Sequence, residues 1–271
     1  MKKNVLCLCA LLCFSVQQGA MASSDRLRLT GSSTVAPLIL EMAKMYEKEH
    51  DGVRIDVQTG GSSRGVNDAR LGLADIGMAS RELKPSEQDL KPYTIAMDGI
   101  GIILHRSNPV TALSQRQITA IYKGNIHNWR EVGGEDLPIT VVNKAEGHST
   151  LELFLKYFSL KNSQIKAHVV IGDNQQGIKT VAGNPGAIGY VSVGTAQYEE
   201  GRGTAIKQLP MGGYAATVAN VQNGFFPLSR PLNLVVKGEP SPLAMRFIKF
   251  AQSDAVHGLI KAQFFVPVGP L

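Results

Sequence analysis

Glycine, serine and threonine are grouped at three points where a strand is expected to give way to a helix: residues 29–37, 59–65 and 144–152. The start of a helix leaves backbone N–H groups free and carries the positive end of the helix dipole, so it attracts anions. Glycine lets the backbone approach a ligand closely, and hydroxyl groups add hydrogen bonds. Three such starts facing each other would form a cage of mostly neutral groups around a tetrahedral oxyanion.

Each segment also has the features of an ordinary capped helix, so no single one identifies a site. Pro37 suits a first helical turn, and Ser33 and Thr34 are placed to cap that helix. Ser149 and Glu152 form the S-x-x-E capping box. Cationic residues lie close to the three segments, namely Arg64, Arg81 and Lys144. An arginine can hold an oxyanion through two hydrogen bonds, whereas a lysine acts as a point charge.

The elements that must position these segments alternate between strand and helix. β-Branched runs predict strands over 26–30, 53–58, 74–78, 95–105, 139–143, 168–171, 187–191 and 232–237. Apolar spacing predicts helices over 37–49, 66–71, 119–122, 151–158 and 242–251. This alternation is typical of an α/β fold with largely parallel sheets. No Pro/Ser-rich linker divides the chain, so a two-lobed protein would have to cross between its lobes more than once.

The first 22 residues have the pattern of a secretory signal peptide cleaved after Ala22. A basic start precedes an apolar run over 5–16, which is too short to span a bilayer, and Ala20-Met21-Ala22 is a cleavage pattern. A membrane anchor is one alternative. A lipoprotein is another, because all three cysteines (Cys7, Cys9, Cys13) lie in the apolar run. Cleavage would lower the net charge of +6 by two and remove every cysteine, leaving a periplasmic chain without disulfides.

The composition, with 44% hydrophobic and 18% charged residues, excludes a disordered, collagenous or disulfide-framework protein. The positive charge is compatible with nucleic acid, a membrane surface or a small oxyanion. No stripe of aromatic and basic residues is visible, which argues against nucleic acid. The spacing of the six histidines predicts no zinc site, and no metal or cofactor is expected.

Six segments resemble the phosphate-binding proteins of ABC importers: 31–35, 61–65, 74–81, 124–129, 185–191 and 229–232. The resemblance extends from about residue 27 to 268. It implies an α/β, two-lobed type II periplasmic binding protein fold with two crossover hinge strands, near 102–105 and 232–236. Lobe 1 would comprise 23–103 plus 231–271, and lobe 2 would comprise 104–230.

The resemblance implies a monomeric binding protein, not an enzyme, that captures inorganic phosphate in the interlobe cleft and delivers it to an importer permease. Carried over by position, Thr34, Val35 and Ser62 would hold the anion, and residues 147–150 match the second-lobe loop. Together with the neighbouring polar and cationic groups, the candidate ligand residues are Ser33, Thr34, Val35, Ser62, Ser63, Ser80, Arg81, Lys144, Gly147, His148, Ser149 and Thr150.

Departures from the family's pattern leave the choice of oxyanion open. The family's loop R-x-D-G-S-G-T has Lys144 in place of its arginine and His148 in place of a hydroxyl. The best-known members also have an aspartate where Ser80 and Arg81 stand; that aspartate accepts the proton of phosphate and rejects sulfate. Unless Asp98 or Glu146 reaches in, sulfate and molybdate remain alternatives. His148 would become cationic below its ordinary pKa of about 6.5.

Two other functions fit parts of the sequence. Residues 61–65 read G-x-S-x-G, the nucleophile elbow of α/β-hydrolases, and Asp173 and His257 follow in the order of a catalytic triad. Turnover of an ester that is abolished by Ser63→Ala would identify such a hydrolase. An exported oxyanion binder can also serve as a sensor or adhesin, and the sequence does not separate these roles from transport.

Overall fold

The computed structural model describes residues 25–269, so the predicted signal peptide lies outside the described residues. Its strands are Asp25–Gly31 (β1), Val53–Thr59 (β2), Ile76–Ala79 (β3), Leu90–His105 (β4), Thr140–Lys144 (β5), Val169–Ile171 (β6), Ala187–Ser192 (β7), Ile206–Leu209 (β8), Ser229–Lys237 (β9) and Val266–Pro267 (β10). Its helices are Ala36–Glu49 (α1), Ser62–Leu71 (α2), Gln115–Tyr122 (α3), Ser149–Tyr157 (α4), Asn174–Ala182 (α5), Val193–Gly201 (α6), Val218–Gln222 (α7), Pro242–Ala251 (α8) and His257–Ala262 (α9). None of these helices is both long and apolar enough to cross a membrane.

All the predicted strands and helices form, and the apolar residues whose spacing predicts them face the core. In α8, Leu243 and Phe247 face the core, as the apolar spacing requires, while Phe250 is partly buried against it. Elements without that signal were not predicted. Helices α5 and α6 carry internal glycines, which weaken the helical pattern, and β8 has only four residues.

The strands form a continuous sheet in the order β2-β1-β3-β9-β4-β7-β5-β6, with β8 and β10 also paired to β4. The predicted parallel pairing holds at both ends: β1 runs parallel to β2 and β3, and β5 runs parallel to β6 and β7. In the middle, β9 is antiparallel to both β3 and β4, and β4 is antiparallel to β7. Parallel strands place their carboxyl ends, and the loops that follow, at one edge.

The two largest hydrophobic clusters of the described residues lie in different lobes. The first lobe packs β1 and β9 against α1 and α8 around Leu29, Met42 and Phe247. The second lobe packs β4, β5 and β7 against α3 and α4, and the rings of Phe154 and Tyr190 stack there at 3.9 Å. Separate cores explain how one continuous sheet serves two lobes.

Strand β4 passes from one lobe to the other. It pairs with β9 from Leu90 to Gly99 and with β7 and β8 from Ile100 to His105. Strand β9 begins opposite Gly99, so it crosses at the same place. The predicted lobe limits at 103 and 231 stay a prediction, but this change of partner favours a division of β4 near Gly99.

Candidate anion site

The three predicted helix starts converge at the edges where the strands end. In the first lobe, β1 leads into α1, β2 leads into α2, and Ser80 follows β3. In the second lobe, β5 ends at Lys144 and leads into α4. Because β1, β2 and β3 are parallel, their following loops share one edge, which faces the start of α4 across the gap between the lobes.

The two lobes touch through this edge. The hydroxyl oxygens of Ser80 and Ser149 lie 2.6 Å apart, and the N–H of Ser63 donates to the carbonyl of Gly147 at 3.1 Å. The conformation is therefore closed.

A cluster of hydroxyl groups lines the contact, and each residue in it is at most 3% exposed: Ser32, Thr34, Ser62, Ser80, Ser149 and Thr150. Ser62 Oγ accepts the N–H of Ser80 at 3.1 Å. Ser32 Oγ donates to Ser80 Oγ at 2.9 Å. We call these six residues the hydroxyl cage.

The caps of α1 and α4 differ from the sequence prediction. Ser32 Oγ, rather than Ser33 or Thr34, accepts from the N–H groups of Thr34 and Val35, at 3.2 and 3.3 Å. Ser33 is half-buried outside the cage. The capping box predicted for α4 is also wrong, because His148 occupies the N-cap and makes no side-chain cap. The N–H groups at the start of α4 are thus left without a side-chain cap.

Arg230, at the start of β9, lies at the centre of the cage and was not assigned by the sequence. Its Nη1 donates to Thr150 Oγ1 at 2.9 Å and reaches Ser80 and Ser149 at 3.4 Å. Its Nη2 donates to Thr34 Oγ1 at 3.3 Å, so one guanidinium contacts both lobes. The signal available in the sequence was an arginine next to the apolar run of β9, because a buried charge requires a function or a partner.

Asp98 is the partner of Arg230. Its Oδ2 accepts from Nε at 3.1 Å and from Nη2 at 2.8 Å, and both side chains are 1% exposed. Its Oδ1 accepts from Ser192 Oγ at 2.9 Å and from the N–H of Gly194 at 3.3 Å. With both oxygens already taken by donors, Asp98 is not free to accept a proton from an anion in the cage.

Lys144 brings a second cation to the cage. It is 2% exposed, and its Nζ donates to Asn174 Oδ1 at 3.1 Å. Asn174 at the start of α5 in turn donates to Thr34 Oγ1 at 3.2 Å, a contact that the sequence did not indicate. Burial, and then the charge of Arg230, lower the pKa of Lys144 to about 7. The cage therefore holds one permanent cation and one that titrates near neutrality.

The domain family described as a PBP superfamily domain matches residues 16–255. The chain belongs to this family. A structure from Clostridium perfringens, described as a phosphate ABC transporter substrate-binding protein with bound phosphate, is 32% identical and superposes with a TM-score of 0.83, covering 90% of this chain and all of that one. An ABC-type phosphate transport receptor from Vibrio cholerae is 29% identical with a TM-score of 0.73, over 89% of this chain and all of that one. The phosphate-binding protein PstS of Bacillus subtilis is 27% identical over 93% of this chain and 83% of its own length.

This membership confirms the two-lobed type II periplasmic binding fold and the resemblance seen in the sequence. The cage lies at the contact between the lobes, where the resemblance predicts the ligand. Six of the twelve predicted site residues have side chains in the cage or, for Val35, an N–H directed into it: Thr34, Val35, Ser62, Ser80, Ser149 and Thr150. Lys144, also predicted, is linked to the cage through Asn174. The assignment of ligands to these residues stays a prediction.

The other predicted site residues lie at the border of the cage. Gly147 contacts the first lobe through its carbonyl, and the ring of His148 stands beside Gly61. Burial and then the charge of Lys144 lower the pKa of His148, which opposes the expected cationic form. Ser63 donates a hydrogen bond to Glu152 and Arg81 forms an ion pair with it, in a cluster beside the cage.

The hydrolase alternative lacks an assembled triad. Ser63 Oγ donates to Glu152 at 2.9 Å, Asp173 caps α5, and His257 pairs with Asp254 at 3.5 Å. Among residues 25–269, no histidine is hydrogen-bonded to Ser63, and no group of three His, Asp or Glu side chains is arranged to hold a metal.

Proposed function

We propose that this protein binds inorganic phosphate in the hydroxyl cage and delivers it to the permease of an ABC importer. The observation that carries the proposal is the buried guanidinium of Arg230 surrounded by hydroxyl groups from both lobes. A planar guanidinium offers paired N–H donors that match two oxygens of a phosphate. The relatives described as phosphate-binding, with their similar fold, support the same ligand.

Each group has a distinct part in holding the anion. Asp98 occupies the Nε side of Arg230 and fixes the guanidinium, so that the opposite edge faces the cage. The hydroxyls of Thr34 and Thr150 accept from Nη2 and Nη1 of Arg230. Ser62 Oγ and the N–H of Val35 join the cage through Ser80 and Ser32. Helix starts add the positive ends of their dipoles at no cost in side-chain entropy.

Enclosure favours a free inorganic anion. Because all six cage residues are at most 3% exposed, an ester would have no route by which its organic group could leave the closed cage. A tetrahedral oxyanion without substituents fits this requirement. Ligand contacts from both lobes favour the closed state, since a ligand shifts an equilibrium only by its differential affinity.

A second candidate is a binder of sulfate or molybdate. The observation in its favour is that Asp98 is saturated by four donors and that Glu146 is exposed and bonded to Asn162. Phosphate can still be recognised, because a serine or threonine hydroxyl accepts as well as donates a hydrogen bond. We therefore expect phosphate to bind more tightly than sulfate.

Calorimetric titration with phosphate, arsenate, sulfate and molybdate tests the proposal. We expect phosphate to bind and Arg230→Met to abolish the heat, while Arg70→Met, which breaks an exposed pair with Asp89, leaves it unchanged. Sulfate binding as tight as that of phosphate would overturn phosphate specificity. No heat with any of the four anions would overturn the binding function itself.

The site of action and the assembly state are part of the proposal. The expected signal peptide, and relatives described as ABC transporter substrate-binding proteins, support a periplasmic protein cleaved after Ala22, and we infer that it is a monomer. N-terminal sequencing of the protein from a periplasmic fraction should give Ser23 first, and size-exclusion chromatography should give one chain per particle.

A further inference from the structure

Glu152 joins the lobes at a place beside the cage, without contacting a cage residue through its side chain. It lies on α4 of the second lobe, and its carboxylate meets three groups of the first lobe. Oε2 lies 3.0 Å from both Arg81 Nε and Lys84 Nζ, and Oε1 accepts from Ser63 Oγ at 2.9 Å. We call these four residues the Glu152 latch.

The first-lobe side of the latch is already organised. Arg81 is 3% exposed and donates to both oxygens of Glu87, at 2.7 and 2.9 Å. Its carbonyl accepts from Asn233 Nδ2 at 2.9 Å. Loss of side-chain freedom is the usual entropic cost of an ion pair. Because Arg81 is already held, it loses little further freedom when Glu152 approaches.

The charges of the cluster balance only when the lobes meet. Burial would raise the pKa of Glu87, but hydrogen bonds from Arg81 and from the N–H of Lys84 hold it below its ordinary value. Glu87 thus already neutralises Arg81 within the first lobe. The charge of Lys84 is neutralised by Glu152, from the second lobe.

The outer side of the latch faces an open groove of about 790 Å³, which Arg81, Lys84 and Glu152 line in part. The side chain of Glu152 is 25% exposed and that of Lys84 is 46% exposed. Water reaches Lys84 directly, whereas Oε2 of Glu152 is itself buried in the closed state. The open groove beside them lets both ions be rehydrated as the pair separates, so that separation buries no bare charge. A partly hydrated pair of this kind is suited to repeated opening and closing.

We propose that Glu152 is a positioning residue that stabilises the closed state and so sets how long the anion is retained. The inference rests on the proposed function of the cage. Contacts that exist only in the closed state add their free energy to that state alone. Losing them would increase the fraction of open protein and reduce the apparent affinity in proportion.

Glu152→Gln tests the latch with a side chain of the same shape. We expect phosphate dissociation, followed by stopped-flow fluorescence, to become about tenfold faster, with association changed less than twofold. Glu41→Gln is the matched control, because Glu41 pairs with Lys44 inside α1 and loses the same charge. Equal dissociation rates for Glu152→Gln and wild type would overturn the proposal, as would an equal change in Glu41→Gln.

A double-mutant cycle separates the latch from a general charge effect. We expect Lys84→Met to speed dissociation by a few fold and to have no further effect in the Glu152→Gln background. Additive effects in the double variant would contradict direct pairing of the two side chains.

Lobe separation provides a readout that needs no anion. All three cysteines precede residue 23, so cysteines introduced at Lys48 and Lys179, both exposed, can be spin-labelled in the processed chain. We expect Glu152→Gln to shift the distance distribution of the phosphate-free protein to longer values, and Glu41→Gln to leave it unchanged. If the wild type binds no oxyanion, the proposed function fails, but an unchanged distribution in Glu152→Gln would still be needed to overturn the latch.

Discussion

Replacing Asp98 by Asn should destabilise the protein while increasing its affinity for phosphate. The buried pair with Arg230 loses its negative charge, but the amide can keep its oxygen toward the guanidinium. Its NH₂ group would then face Ser192 Oγ, which can rotate to accept, and the N–H of Gly194, which loses its acceptor. The geometry of Arg230 is therefore retained while its charge is left uncompensated.

The magnitude follows from the burial of the pair, with 1% exposure on each side. Breaking such a pair costs about 3–5 kcal/mol of unfolding free energy. At about 2–4 °C per kcal/mol for a chain of this size, the melting temperature without phosphate should fall by roughly 10 °C. Phosphate returns a negative charge to Arg230, so its Kd should fall by about tenfold, equivalent to about 1.4 kcal/mol.

Thermal melting with and without saturating phosphate, combined with calorimetry, measures both effects. The difference in melting temperature between Asp98→Asn and wild type should shrink when phosphate is present. Asp89→Asn, which breaks the exposed pair with Arg70, is the control and should melt near wild type under both conditions. Weaker phosphate binding by Asp98→Asn would refute the placement of the anion on Arg230, or the idea that the amide preserves its orientation.

Three further predictions concern the cage and the lobe contact. Thr34→Val and Thr150→Val, one from each lobe, should each weaken phosphate binding about 10- to 100-fold by calorimetry, because each removes a hydrogen bond to a charged group; a change below twofold would contradict the assignment. Burial and the charge of Arg230 lower the pKa of Lys144 to about 7, so the free protein loses this charge as the pH rises above 7 and must regain a proton to bind the anion. Between pH 7 and 9, the phosphate Kd of the wild type should therefore rise by up to about tenfold more per pH unit than that of Lys144→Arg, which stays charged. An equal dependence of Kd on pH in the two proteins would exclude a role for Lys144 in binding. A Cβ at Gly61 would lie 2.6 Å from a carbonyl oxygen of the opposite lobe, so Gly61→Ala should weaken phosphate binding at least about tenfold. Gly72 has a similar positive φ, but a Cβ there would meet no atom within 4 Å, so Gly72→Ala should affect only the melting temperature. Similar phosphate affinities for the two variants would argue against lobe closure during binding.

The sequence was sufficient for features that depend on neighbouring residues. Period-two and period-3.6 patterns located the principal strands and helices, and the alternation of the two predicted an α/β fold. Glycine and hydroxyl residues marked the three helix starts that form the cage. Helices α5 and α6 could not be predicted, because internal glycines weaken the helical pattern there.

Cap assignments failed where a side chain found a better partner far away in sequence. Ser149 and Glu152 have the spacing of a capping box, yet the glutamate bonds across the gap to Ser63, 89 residues earlier in the chain. Arg81 was a candidate ligand because it lies close to the glycine and hydroxyl segments in sequence, but its Nη1 and Nη2 donate to Glu87 and its Nε forms an ion pair with Glu152. The spacing of neighbouring residues does not show whether a distant residue will compete for the same side chain.

By itself, the sequence determined the class of fold, the helix starts and the chemistry of an anion cage, because turns, caps and amphipathic faces are set by residues a few positions apart. Only the tertiary structure decided which charge lies at the centre of that cage. Arg230 meets Asp98 across 132 residues and Thr34 across 196, and Asn174 meets Thr34 across 140. Contacts at such separations arise from the pairing of β4 with β9 and from closure of the lobes, and these depend on the packing of the whole chain.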